Sequence, residues 1–217
     1  SKRSSGNLDI NGNLTITGAA QLDVSAHRDD ITLDGNWTNT STHPNAFDEG
    51  QYIVYLSGSG TQIIAGSKPE NFFVFGIDKP SGILILNTPV TIVKNGALHM
   101  KNGVMYTTRT QLLTVADNAT ATQGNKASFV DGPMVKLGDD AFTFPVGDGQ
   151  QWAPIEINNL ENATATDRFM AEYFAAAAPN RNNRSFDLFS VSNTEHWQLQ
   201  QLASRQNQQS RMSKAGI

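Results

Sequence analysis

The feature that most limits what this chain can fold into is a succession of apolar-x-apolar triads, each cut short by Gly, Asn or Asp. Leu8-Asp9-Ile10, Leu14-Thr15-Ile16, Leu22-Asp23-Val24 and Ile31-Thr32-Leu33 begin 6, 8 and 9 positions apart. That spacing leaves no room for a helix, and Asn11-Gly12, Thr17-Gly18 and Asp34-Gly35 supply turns between them. Alternation with period two is the signature of short strands that bury one face. Composition agrees: Gly, Asn and Thr take 57 of 217 positions, an excess of turn and strand formers.

The pattern resumes at Gln62-Ile63-Ile64 and runs through Phe72–Phe75, Ile83–Leu86, Val90–Ile92, Leu98–Met100, Val104–Tyr106 and Leu112–Val115. Gly12–Ile16 aligns with Gly96–Met100 at an offset of 84, and Ile31–Leu33 with Leu113–Val115 at 82. Repeated strands too short to bury a face alone must stack on their neighbours, which describes a solenoid. A twisted β-sandwich would want strands of about 5 to 6 residues, so the triads fit parallel β-helix rungs better. The expected fold is therefore all-β, with a solenoid over residues 1–127.

From Ser128 the strands lengthen and become aromatic: Phe129-Val130, Phe142-Thr143-Phe144, Trp152–Ile157 and Phe169–Phe174, bounded by Pro and Gly. This predicts a small antiparallel β-sandwich or capping domain over 128–199. Ala175–Ala178 is the one helix-favouring run, and Pro179 stops it. Residues 200–217 read as a tail. From Gln198 onward there are six Gln, three cations and no acid, while residues 1–197 carry 13 positive against 20 negative charges. Such a segment is expected to be disordered, with Leu199 and Leu202 as its anchors should a partner or a completed sandwich hold it.

Several chemistries are excluded or weakened. There is no Cys, hence no disulfide, thiolate nucleophile or Cys-ligated metal. A net charge of -4 argues against a nucleic-acid partner, and no apolar run is long enough for membrane insertion as a helix. Ser1–Asn7 lacks an apolar targeting core, so the chain reads as mature or cut from something larger. His27, His43, His99 and His196 are too scattered to share a metal, and His99, between Leu98 and Met100, is expected to face solvent. Gly58-Ser59-Gly60 leads into a strand and not a helix N-terminus, which argues against phosphate cradling.

The remaining candidates are acidic turns and aromatics. Asp29-Asp30 and Asp139-Asp140 are the carboxylate pairs that glycosidic acid/base work would need, although Asp in a turn commonly bonds its own backbone. Asp139, Asp140 and Asp148 are weak Ca2+ candidates, because they offer hard oxygens without the spacing of a known calcium loop. Trp37 and Trp152, with Tyr52 and Tyr55, are able to stack on sugar rings, but capping the core is the commoner fate of large aromatics and is the expected one for the two tryptophans.

Taken in order, Gly12–Gly18, Asp34–Asn39, Leu56–Gly66, Phe129–Pro133, Phe144–Gly147, Ala171–Phe174 and Glu195–Trp197 form a series. The series resembles the large repetitive surface and secreted proteins of the Bacteroidota exported through the type IX system. The resemblance implies a filamentous, adhesin-like module of the cell surface with a surface glycan or protein ligand, a secretion machinery as partner, association with neighbouring repeats, and no catalytic residue. The chain departs from it after Leu199, where further strands and a sorting domain are expected and a Gln-rich tail stands instead. Two rival functions are a carbohydrate-binding module of a secreted enzyme and a β-helix polysaccharide lyase or hydrolase.

Overall fold

A computed structural model describes residues 6–25, 30–179 and 192–202. It is a parallel β-solenoid of about five turns with no helix among the described residues. The first rung holds β1 (Leu8–Ile10), β2 (Leu14–Ile16) and β3 (Leu22–Asp23), and the second holds β4 (Ile31–Leu33), β5 (Trp37–Asn39) and β6 (Phe47–Asp48). β7 (Ile53–Leu56) and β8 (Gln62–Gly66) follow, then two stretches of 17 residues, β9 (Glu70–Leu86) and β10 (Val90–Tyr106). These two bend around the corners of the solenoid. The front of β9 pairs with β7 and its end with β8, and the β9–β10 register shifts at Ile92/Ala97 and again beyond Met100.

Beyond them lie β11 (Leu113–Val115), β12 (Thr120–Ala121), β13 (Val130–Asp131) and β14 (Met134–Leu137). The chain closes with β15 (Phe142–Phe144), β16 (Val146–Asp148), β17 (Gln151–Trp152), β18 (Ile155–Ile157), β19 (Arg168–Phe174) and β20 (His196–Leu202).

Period two does what the pattern requires. Leu14, Ile16, Leu98, Met100, Leu113 and Val115 all point into the core, while Thr15 is exposed. The Gly-Asn pairs at 12–13 and 35–36 also have a physical role. Asn13 Oδ1 accepts the Asn36 N–H at 2.8 Å, and Asn36 Oδ1 accepts the Ile63 N–H at 2.9 Å, so one side chain per rung satisfies a corner amide of the next. Gly35 is required beside it, because a Cβ there would overlap the main chain of Gly12.

The register differs from the one the repeat suggested. Leu98 pairs with Phe75, Phe75 with Val54, Val54 with Ile31, and Ile31 with Leu8. The partner of Leu98 four rungs away is thus Leu8, not Leu14, and Leu14 belongs to the column Trp37–Ile64–Leu86. Steps between rungs range from 16 residues (Val130 to Val146) to 27 (Trp37 to Ile64), so no constant offset exists to be found.

Parallel pairing continues past residue 128: β13 lies on β10, β14 on β11 and β16 on β13. Antiparallel pairing begins where β19 adds to β14 and β20 to β19, with β15–β18 and β16–β17 as further antiparallel pairs. The C-terminal strands therefore extend the solenoid sheet, and the antiparallel β19 and β20 close it in the manner of the expected cap. Ala175–Ala178 is not helical. The chain remains in β20 through Leu202, past the expected start of the tail at Gln200, because Gln200, Gln201 and Leu202 pair with Met170, Phe169 and Arg168. Leu199 is 44% exposed and so is no anchor, whereas Leu202 is half-buried. Residues 203–217 lie outside the described residues.

Candidate functional site

The structure brings Asp139 and Asp140, in the turn after β14, against Asp117, in the turn after β11 one rung away. The three carboxylates lie within 4.8 Å of one another. Sequence reasoning missed Asp117, since only rung stacking joins it to the pair. Two ammonium groups already serve the cluster. Lys94 Nζ donates to Asp117 Oδ2 at 2.6 Å, and Lys136 Nζ donates to Asp140 Oδ2 at 2.9 Å.

Lys136 is fully buried and also donates to the carbonyls of Ala116 and Leu137. Its ammonium thus stands where a cation would gather carbonyl and carboxylate oxygens. The Lys136 hydrogen bond and the Asn118 N–H hold the Asp140 carboxyl below the ordinary carboxylate range. A calcium ion here would have to displace at least one lysine. Asp148, the third expected calcium ligand, is not part of this group: its Oδ2 accepts the Ala175 N–H, and it neighbours Asp131 and Tyr106.

Of the other acid pair, Asp30 Oδ1 accepts the Ile53 N–H at 2.9 Å, a rung-to-rung bond, and Asp29 lies outside the described residues. His27 lies outside them too. His43 Nδ1 and His196 Nδ1 meet main-chain carbonyls of Asn45 and Ala176. His99 points away from the core as expected but is half-buried rather than free in solvent. Its Nδ1 lies 2.8 Å from Tyr55 Oη, and burial, followed by the nearby Lys101 charge, lowers its pKa. Lys101 Nζ sits 4.2 Å from the Tyr55 ring centroid. Tyr55 lies flat over Gly76, where any Cβ would overlap the ring.

The aromatic expectations divide. Trp37 cannot stack on a glycan, because it is fully buried between Phe47 and Phe72, with ring centroids at 4.8 and 5.3 Å. Trp152 is half-buried and donates its indole N–H to the Gln123 carbonyl at 3.1 Å. The tryptophan that does present a face is Trp197 on β20, 41% exposed, its N–H anchored on the Ala153 carbonyl. Its alternation with Leu199 was the available signal, concealed by the surrounding glutamines.

Two buried polar groups were also illegible in the sequence. Lys79, in an Asp-Lys-Pro string that reads as a surface turn, is fully buried and donates to Gly58 O and Gln62 Oε1. Burial pushes its pKa down to about 8. Gln62 in turn donates to the carbonyls of Leu33 and Gly35, so the Gly58–Gly60 loop closes over a polar plug. Glu70, at the start of β9, is buried beside Trp37 and Asn39, and burial pushes its pKa up to about 7.

An open groove of about 620 Å3 lies on the flank of the solenoid. It runs past the residues that precede β9, β10 and β11 and ends at Arg168 on β19. No helix among the described residues is long and apolar enough to cross a membrane. Comparison with protein-family models, with curated proteins and with solved structures gives no match.

Proposed function

We propose that this chain is a non-enzymatic structural or adhesive solenoid module that works at the cell surface or outside the cell. One observation carries the reading: Asp30 and Asp140, one member of each acid pair that the sequence offered for catalysis, are committed to holding rungs and turns together, as is the calcium candidate Asp148. Asp30 bonds the next rung's Ile53 amide, Asp140 bonds Asn118 and Lys136, and Asp148 bonds Ala175. General acid/base chemistry needs a carboxyl free to exchange its proton with substrate, and groups so engaged are instead scaffold. The core beneath them is continuous along the solenoid from Leu14 to Tyr173. A continuously packed stack of rungs suits a spacer that presents a surface, and the motif series that resembles the Bacteroidota surface proteins supports the extracellular setting.

The test is turnover on neutral and anionic polysaccharides together with thermal melts of Asp30→Asn and Asp140→Asn. No turnover is expected, and both variants should melt lower than the parent. Turnover that vanishes in either variant while its melting temperature holds would favour the lyase or hydrolase reading. A carbohydrate-binding role is the second reading, favoured by the groove that ends at Arg168.

A further inference from the structure

Arg168 stands at one end of the groove with its guanidinium unspent. Its Nε is shielded from solvent and makes no hydrogen bond, and the residue has no ion pair among the described residues. The Nε is out of a ligand's reach, so a carboxylate in the groove would meet the two terminal nitrogens of the guanidinium, which no acceptor among the described residues takes. Arginine is also the side chain whose planar fork matches a carboxylate with two parallel hydrogen bonds. In a chain of net charge -4 an arginine with no ion pair among the described residues is conspicuous, and none of the residues lining this groove is acidic.

The rest of the groove is chemically two-sided. Pro69, Pro89 and Leu112 precede successive strands and give an apolar strip along the axis, while Thr91 and Thr114, paired across β10 and β11, present hydroxyls beside it. The main chain there is already spent within the solenoid: the Glu70 N–H donates to Pro89 O at 2.9 Å and the Val90 N–H to Leu112 O at 3.0 Å. A peptide would find no free strand edge to pair with along this strip. A sugar chain needs none, because its C–H faces lie on proline and leucine and its hydroxyls meet threonine.

We propose that this groove binds an acidic oligosaccharide, a uronic-acid chain whose carboxylate pairs with Arg168 and whose rings lie along Pro69, Pro89 and Leu112. The proposal rests on the adhesive reading above and gives it a ligand class.

The experiment is calorimetric titration of the full chain with oligogalacturonate, with neutral cello-oligosaccharide and polyglutamate as comparisons. Product analysis is run on the same samples. Oligogalacturonate should bind, more weakly as salt is raised, and the neutral and peptide polymers should not. Arg168→Gln should weaken binding by about 10- to 100-fold, the value of a charge-assisted pair, and Arg168→Lys by less. Thr114→Trp, which fills the groove while leaving Arg168 in place, should also abolish binding. Melting temperatures equal to the parent's will show that the variants fold.

Equal binding of the neutral chain, equal binding of polyglutamate, or undiminished binding by Arg168→Gln overturns the proposal. Absence of any binding overturns it too and leaves the non-enzymatic reading standing. Cleavage of oligogalacturonate with Arg168-dependent binding would do the reverse: the groove assignment survives and the non-enzymatic reading falls.

Discussion

Glu70 gives the sharpest stability prediction. The side chain is 2% exposed, packed in the core at the start of β9. Neither its Oε1 nor the neighbouring Trp37 Nε1 closes a hydrogen bond of normal geometry. Burial therefore dominates, the Asn39 amide and the Trp37 indole only partly offset it, and the carboxyl's pKa rises from 4.5 to about 7.

The sign follows from proton linkage. Below pH ~4.5 folded and unfolded chains both hold the proton; between ~4.5 and ~7 the folded chain holds a proton that the unfolded chain has lost, so stability falls as pH rises. Above ~7 the folded chain carries a buried, poorly solvated carboxylate, and the whole contribution is gone. A shift of about 2.5 units is worth roughly 3 kcal/mol at ~1.4 kcal/mol per unit. Glu70→Gln keeps the shape and abolishes the charge.

Urea unfolding of both proteins at pH 5 and pH 8 should show the variant gaining about 2 to 3 kcal/mol on the parent over that interval, and the variant should be the more stable at pH 8. Taking the difference cancels the other titrating groups. Parallel pH dependence of the two proteins would refute the reasoning.

Three further outcomes follow from the packing. Ile16→Asp puts an unpaired carboxylate into the core and should cost several kcal/mol by urea unfolding, whereas exposed Thr15→Asp should cost less than ~1 kcal/mol; equal losses would contradict the inward register of β2. Gly76→Ala drives a methyl into the Tyr55 ring and should cost about 1 to 3 kcal/mol, together with a change in the His99 titration followed by NMR, since the Tyr55–His99 contact is displaced. Millimolar Ca2+ should leave the melting temperature unchanged, because Lys94 and Lys136 already neutralise the Asp117–Asp139–Asp140 cluster; a rise of several degrees would show that calcium displaces them.

Local information was enough for local features. A triad such as Leu14-Thr15-Ile16 determines a short strand and which of its sides is inward, because alternation needs no knowledge of the partner. Gly and Asn at 12–13 and 35–36 likewise mark corners, since a tight bend with a spare amide calls for those residues wherever it lies.

Only the tertiary structure could decide what stacks on what. Strands in adjacent rungs are interchangeable in pattern, and turns between them vary from rung to rung. The choice of Leu8 over Leu14 as the distant counterpart of Leu98 is made by which side chains fill the shared interior, with Trp37 wedged between Phe47 and Phe72. The same stacking carries Asp117 to Asp139 and Asp140, buries Lys79 and Lys136 against carbonyls of other turns, and brings Arg168 to the lining of the groove. Each of these joins residues distant in sequence. Their energies come from burial and satisfied polar groups, which exist only once the rungs are in register.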